Sequence, residues 1–539
     1  MEGCKEQAWD AGLRFQDETL EYIVTNRDLL EISPKLMIPT LYDYWVHDVE
    51  VLKGKGKYEL YPGNPYETVI NTRPAISFYN DNNPDWLNVM IFYHVLGHID
   101  FFQNNTYFRH TWDYDFTGQA LSDKRIIARF RSEKGRWLDY VIEFSRSIDN
   151  LVGYHDELSR LNVLEKSQRS GKLDFYFDVF LQAVLKAKTS EYIKEIERFN
   201  QCTRKNNTLC EEIFFTEIEK NHPEFAAVYK KHQKAKSTRH IDPIQYIMAH
   251  SEFLNKDENL WMKTVMQIIR KTSLFFQPQI RTKIMNEGWA SHWHETLFLQ
   301  DERIKGHEIE FARVHAGVTA LPRVGLNPYA LGMRLFYHIG EMAGKGRYEY
   351  NYQRIRDKRL RKAYNAKTGG GKDYIFKVRE NFCDSMFINH FLDQEFITQH
   401  RLFVAGKRLN KQKMVWEYYV KSRKRKDYLK MLEDSLYHPP HITVDPENGH
   451  RTSLYLVHHF EDKPLIKEFI PNSLMGIEYL WGGPVELETN EGVSISKVSD
   501  GGVLSVYGPA SPKPKEEPKI EWRRVLYTME NKKLTRKEL

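Results

Sequence analysis

The sequence predicts a mostly α protein, in which one large helical domain holds the candidate chemistry and a small C-terminal α+β domain follows. Three observations carry this expectation. Apolar residues recur at three- and four-residue spacing through most of the first 430 or so positions, the periodicity of amphipathic helices. After His438-Pro439-Pro440 the pattern changes to short β-branched and aromatic runs, which read as strands. Two histidines four positions apart, His94 and His98, stand in an almost wholly apolar stretch, the setting of a buried helix.

The large domain is expected over residues 1–435. Near its start, Thr68-Val69-Ile70-Asn71 and Ala75-Ile76-Ser77-Phe78, bracketed by Pro62, Pro65 and Pro74, read as short extended pieces leading into the histidine helix. That helix is placed from about Asn83-Pro84, with proline in its first turn, to Asn105. Asp139 to Leu164 and Lys172 to Phe199 read as amphipathic helices. Asn327-Pro328 marks another helix start, because Asn caps exposed amides and Pro fits the first helical position. In the small domain, 436–508, strands are expected at 442–444, 452–457 and 485–488, with a helix between the second and third inside Pro464 to Leu480. Residues 509–539 form a proline- and lysine-rich linker and tail, expected to be extended over Pro509 to Pro518.

Composition excludes several classes. With 41% hydrophobic and 28% charged residues the chain is not a disordered polymer, and no apolar run approaches the roughly 18–20 residues of a membrane-spanning helix. The N-terminal residues lack a basic start followed by an apolar stretch, so a cytoplasmic location is the expectation. Cys4, Cys202, Cys210 and Cys383 form no C-x-x-C pair and are expected as thiols. The net charge of +6 is concentrated between Arg354 and Lys430. Such runs usually form a solvated helix face, no named nucleic-acid motif accompanies them, and nucleic acid is not an expected partner. Gly369-Gly370-Gly371-Lys372-Asp373 lacks the leading glycine and the Ser/Thr of a phosphate loop.

On a helix at 100° per residue, taking His94 as zero puts His98 at about 40° and Asn105 at about 20°, while Asp100 at about −120° points to a neighbouring helix. Histidines one turn apart are the spacing by which a zinc helix chelates one ion. The third ligand expected is Glu287, in Asn286-Glu287-Gly288-Trp289-Ala290, which completes a zincin-like arrangement. His294, seven positions on, shares a face with Glu287 but lies roughly 10.5 Å along the axis, so it is assigned to a supporting or substrate-facing place, and His292 is expected to face away. Val95 stands where a zinc-protease helix carries its glutamate, so the proton must be handled by His294, Glu295 or His315. Asn105, Asn327 and Tyr329 are candidates for outer contacts or substrate. The ion expected is divalent, zinc first, though two imidazoles and a carboxylate also suit iron or manganese.

Several ordered blocks, from Tyr66-Glu67-Thr68-Val69-Ile70-Asn71 through His94-Val95-Leu96-Gly97-His98 and Asn286-Glu287-Gly288-Trp289-Ala290 to Gly325-Leu326-Asn327-Pro328-Tyr329 and Leu480-Trp481-Gly482, resemble the stage V sporulation protein R (SpoVR) family. The stretch from about Ser159 to Ser251 and the tail after Gly508 match it poorly, as in a divergent member. The resemblance implies a link to the spore cortex or to stress-related peptidoglycan metabolism, and a module shared with a serine protein kinase and a von Willebrand-like partner. Val95 agrees with the family's own pattern. Two functions follow as expectations: a metal-dependent, amidase- or peptidase-like hydrolase acting on a cell-wall peptide or precursor, and a non-catalytic, metal-stabilised regulatory scaffold working with the kinase.

Overall fold

The computed structural model describes residues 1–16, 18–25, 28, 68–111, 116–152, 171–185, 189–205, 210–230, 242–322, 324–410, 414–436, 439–446, 448, 453–461, 463–495 and 519–539. It is mostly helical, with a smaller strand-containing region toward the C-terminus. Contacts divide the chain into two compact units: residues 1–154 with 252–440, and residues 155–251 with 441–539. Among the described residues no helix is long and apolar enough to cross a membrane.

The first unit is built around three helices. A small sheet precedes them, in which β1 (Thr19–Val24) runs parallel and β2 (Thr68–Ile70) antiparallel to the central β3 (Ala75–Asn80). The chain then enters α2 (Asp85–Asn104), capped by Pro84 and numbered after α1 (Glu2–Asp10). Every residue of α2 from Met90 to Phe102 is buried, as its lack of a polar face demands. Two successive helices, α3 (Leu260–Arg281) and α4 (Lys283–Gln300), share Thr282 as a boundary, and α5 (Glu308–Val318) and α6 (Pro328–Gly344) follow.

Helix α4 lies between α2 and α6, at distances that only small residues permit. A Cβ on Gly97 of α2 would stand 2.7 Å from the Cα of Ala290, and one on Gly288 would stand 2.3 Å from the carbonyl carbon of Gly332 on α6. The backbones therefore touch, and the side chains flanking the glycines project into common space. Asp100 ties the arrangement together: it accepts hydrogen bonds from the Trp289 indole at 2.8 Å and the Arg14 amide at 2.7 Å. It also pairs with Arg379 at 3.2 Å, on α7 (Gly371–Asn381). Asp384, first residue of α8 (Asp384–Phe391), accepts from the Ile284 and Met285 amides at 2.8 Å each, satisfying orphan donors at the start of α4.

Near the end of the first unit, β4 (Val404–Asn410) and β5 (Val415–Ser422) form an antiparallel pair. The second unit has two parts. Phe175, Tyr176, Phe180, Phe214, Phe215 and Phe225 form an aromatic core. The strands form a five-stranded sheet of order β10-β9-β8-β7-β6, with β6 (Ile442–Val444), β7 (Leu454–His458), β8 (Val485–Ile495), β9 (Lys519–Glu530) and β10 (Lys533–Glu538). Only β7 and β8 are parallel, and α9 (Ile470–Trp481) connects them, as a parallel pair requires. It ends at Gly482 with φ of 80°, the left-handed cap that glycine supplies most readily. Leu474, Ile477 and Leu480 are buried, as are Leu454, Leu456, Val485 and Leu487 of the strands.

Two helices expected from periodicity are shorter than expected. The first runs from Arg136 to Arg146, followed by a 3-10 turn at Asp149–Leu151. There Ser147 bonds the Phe144 carbonyl, a local bond that competes with helix continuation. The second is split into Gly171–Asp174, a π-helical stretch Phe175–Val184 and Thr189–Lys205. The wider turns carry the side chains that fill the aromatic core, a bulge of the kind that re-aims residues. The remainder of the first helix to Leu164 and the linker from Pro509 to Pro518 lie outside the described residues. Beyond that linker the tail forms β9 and β10, and β9 pairs with β8 along its whole length, from Val485↔Met529 to Ile495↔Lys519.

Candidate metal centre

One turn of α2 and the first turns of α4 supply the donors. His94 and His98 are buried, with ring centroids 4.6 Å apart. Glu287 reaches them from α4: its Oε2 lies 3.5 Å from His98 Nε2 and 3.8 Å from His94 Nε2. Donor atoms from the three residues lie within 4.8 Å of one another. Two donors about 2.1 Å from a tetrahedral ion stand about 3.4 Å apart, so these separations suit a common cation. Among the described residues Glu287 Oε2, which is buried, accepts no hydrogen bond, and both imidazoles stand in front of it. The donor chemistry fits a divalent ion of the zinc type.

The far ring nitrogens are held by partners. His98 Nδ1 lies 2.9 Å from Asn286 Oδ1, and His94 Nδ1 lies 2.7 Å from His294 Nδ1. His294 Nε2 is in turn 2.8 Å from His315 Nδ1, and His315 Nε2 is 3.4 Å from Glu295 Oε1. Tyr337 donates to the other Glu295 oxygen at 2.6 Å. With a cation held between Glu287 and the Nε2 lone pairs of His94 and His98, the tautomers would follow: His98 Nδ1–H would donate to Asn286, His94 Nδ1–H to His294, and His294 Nε2–H to His315, whose own Nε2–H would face Glu295. Each donor meets an acceptor, the arrangement that fixes a ligating imidazole and raises its basicity.

Burial favours the neutral form of His294 and His315. It drives His294 well below the ordinary imidazole range, and the neighbouring His94 and His315 push the same way. His315 is also lowered by burial, against the pull of Glu295. The Tyr337 hydroxyl is raised, first by burial and then by Glu295. A neutral imidazole is the form that offers a lone pair to a metal.

The other candidates fall in different places. His294 is fully buried behind His94 and acts on it directly. Tyr329 lies against the centre, its ring stacked on His94 at 5.9 Å. Asn105 leaves the helical stripe, since α2 ends at Asn104 and Asn105 is extended, with ψ of 132°. Its amide donates to the Arg379 and Phe382 carbonyls and accepts from the Tyr107 amide. Asn327 caps α6, accepting from the Ala330 amide and donating to the Val318 and Ala320 carbonyls. His292 faces away, its ring 4.4 Å from that of Tyr337. The residue not singled out from sequence is Asn286: it adjoins Glu287, and a rule that ligands share one helical face passes over the adjacent position.

The family model described as SpoVR like protein matches residues 1–437, which include every residue of the centre. The chain belongs to the SpoVR family. An uncharacterized protein of Escherichia coli (strain K12), YcgB, is 24% identical to this SpoVR chain over 410 residues, covering 71% of the chain and 69% of YcgB. No solved structure matches the chain. The sheet from β6 to β10 lies beyond the residues that the SpoVR model matches.

Proposed function

We propose that this SpoVR protein is a metal-dependent hydrolase, amidase- or peptidase-like, acting on a cell-wall peptide or precursor. The observation that supports the reading is the meeting of His94 Nε2, His98 Nε2 and Glu287 Oε2, backed on each imidazole by its own hydrogen-bond partner. A divalent ion held by these residues, zinc first and iron or manganese by the same donor set, would supply a Lewis acid that lowers the pKa of water toward neutrality. The protein's own part is to orient the imidazoles. Asn286 holds His98, and His294 holds His94. The line from His94 through His294 and His315 leads to Glu295, a carboxylate whose side chain is 27% exposed; with His94 Nε2 engaged by the ion, this line would polarise the ligand through its Nδ1–H and would not take the water's proton through His94. Tyr329 lies where it can meet a substrate beside His94. The wall-peptide class rests on the likeness to the family and on no contact in the structure.

One observation favours a second reading. Val95 is fully buried and apolar at the position next to His94, so a zincin-like arrangement lacks its usual base, and the metal would then hold α2 to α4 in a regulatory scaffold that engages a serine protein kinase and a von Willebrand-like partner. The test combines metal content by mass spectrometry with turnover of wall peptides, in wild type, His94→Ala and Glu287→Ala. Bound metal and turnover lost together in both variants support the hydrolase. Bound metal without turnover that the variants affect supports the scaffold.

A further inference from the structure

Strands β4 and β5 form a ribbon whose outer half is exposed on both faces. Its base is fixed. Leu402 is buried and its amide donates to the Ile397 carbonyl at 2.9 Å, while Arg425, just past the second strand, donates to the Leu392 and Asn389 carbonyls at 2.6 and 2.7 Å. Beyond the base the side chains are open to solvent. Trp416, Tyr418 and Tyr419 are 57%, 58% and 43% exposed, and Leu409, Val415 and Val420 are exposed with them. Large apolar side chains gathered on an open surface mark a place of interaction.

The register sorts these side chains by face. Tyr418 lies opposite Lys407 and Trp416 opposite Leu409, so one face carries both rings, about 6.6 Å apart along the strand. Tyr419 belongs to the other face, opposite Gly406, and its ring lies across that glycine, where a Cβ would meet it. Cations stand against the rings: Lys407 Nζ is 4.4 Å from the Trp416 centroid, and the Arg408 guanidinium carbon is 5.7 Å from that of Tyr419. From Arg401 to Lys430 the sequence has eleven lysines and arginines against two acids, whereas the whole chain is only +6. A surplus larger than that of the whole chain is therefore gathered along this segment. Of the two acids, Glu417 is taken up by Arg408 at 3.3 Å. The basic runs by themselves read as a solvated face; the exposed rings set among them are what a charge count does not contain.

Rings interleaved with cations fit a polyanion that carries flat groups. A single strand of nucleic acid has both, since its unpaired bases stack on aromatic side chains and its phosphates follow the cations. A second copy of the chain would bring like charge to the same face. A lipid surface fits less well, because the segment joining the strands contains Lys411 and Lys413, which oppose entry of the tip among acyl chains.

We propose that the β4–β5 ribbon binds single-stranded nucleic acid without reading its sequence, with bases on Trp416 and Tyr418 and phosphates along the cations of the ribbon and its base, among them the exposed Lys407, Lys424 and Lys426. DNA and RNA present the same groups to these side chains, and both are expected to bind. None of these residues belongs to the metal centre, so the proposal stands or falls apart from it. The test uses the full chain and fluorescein-labelled oligo(dT) and oligo(U) of about 15 nucleotides, with anisotropy read between about 50 and 200 mM salt. Both strands are expected to bind with a Kd of roughly 1–100 μM at physiological salt, and a blunt duplex of the same length, whose bases are not free to stack, at least about fivefold more weakly. Trp416→Ala, at an exposed position, is expected to weaken both strands by about five- to a hundredfold with the urea unfolding curve unchanged, and Trp416→Phe to stay within about threefold of wild type. Lys424→Gln with Lys426→Gln is expected to flatten the log–log salt dependence by about 0.7–1.4. A Trp416→Ala affinity within twofold of wild type, a duplex bound as tightly as the single strands, or no binding of either strand at about 200 μM would each overturn the proposal. Phosphatidylserine vesicles that bind the chain while both strands do not would overturn it in favour of a lipid surface.

Discussion

Substituting Gly97 by alanine tests whether helix contact sets the geometry of the proposed metal centre. The added Cβ would lie 2.7 Å from Ala290 Cα and 3.3 Å from Ala290 Cβ, where an ordinary carbon contact is about 3.7 Å. The obstacle is backbone, so α2 and α4 must part by about 1 Å. Gly97 adjoins His98, and Ala290 is one turn from Glu287, so the parting falls on the donors. It would open the His98–Glu287 and His94–Glu287 distances of 3.5 and 3.8 Å to about 4.5 and 4.8 Å. Donors each about 2.1 Å from one ion cannot be more than about 4.2 Å apart, even in line. The variant is therefore expected to lose Glu287 as a ligand, at a cost greater than the about 10–100-fold that follows loss of an outer partner. Overpacking costs about 1–3 kcal/mol of stability, offset in part by the helix preference of alanine over glycine. The control is Gly317→Ala on α5, where a Cβ meets nothing within 4 Å; it is expected to be neutral or slightly stabilising. Zinc affinity by competition with a chelating dye, together with urea unfolding, reads both effects. A Gly97→Ala protein with wild-type zinc affinity and stability would refute the reasoning.

Asn286→Ala removes the acceptor at His98 Nδ1, and zinc affinity by dye competition is expected to fall about 10–100-fold with the circular dichroism spectrum unchanged. His294→Phe leaves a buried N–H on His94 without its acceptor, so it is expected to weaken zinc binding by a similar factor and to cost about 1–3 kcal/mol in urea unfolding. His292 gives a pH dependence. Its folded-state pKa, lowered by burial to about 4 from 6.5, means that its contribution to stability is fully present above 6.5 and is lost as pH falls toward 4. Unfolding curves between pH 7 and pH 4.5 are expected to show His292→Phe losing less stability than wild type, by on the order of 2–3 kcal/mol at the acid end; parallel losses would contradict the assignment. Metal removal by chelator is expected to lower the unfolding midpoint of wild type and to leave that of Glu287→Ala unchanged, because only a native-state ligand stabilises.

What could be read from the sequence was what local periodicity carries. The stripe of His94 and His98, the turning of Asp100 toward another helix, the Asn327 cap and the strands at 442–444 and 485–488 all follow from spacing and propensity, and the structure places Asp100 against Trp289 and Arg379. The same wheel failed at Asn105, because it assumed that the helix continued one residue past its end; nothing in Gln103-Asn104-Asn105 marks which Asn turns the chain. The π-helical stretch was hidden because Phe175 to Val184 has an ordinary helical pattern, and only the aromatic cluster against it selects the wider turn. Strands β9 and β10 were masked by the proline–lysine stretch before them. The partners of α4 come from far away: Asp384 caps it from about 100 positions on. No window-based reading can find such a bond.

Glycine connects the readable part of the centre to the rest. Gly97 lies inside the His94–His98 motif and Gly288 directly follows Glu287, and each is needed where a helix backbone meets another, Gly97 at Ala290 and Gly288 at Gly332. Each ligand motif therefore contains its own packing instruction. The histidines could form a one-sided chelate on any buried helix, but Glu287 can join them only if α4 lies in backbone contact with α2, and α4 is pressed from its other side by α6. Loss of either contact should loosen the same trio, so Gly288→Ala, on the face of α4 opposite the α2 crossing but adjoining the carboxylate, is expected to weaken zinc binding as Gly97→Ala does. If it instead lowered stability while leaving zinc affinity at the wild-type value, the α4–α6 contact would have to be assigned to core packing alone.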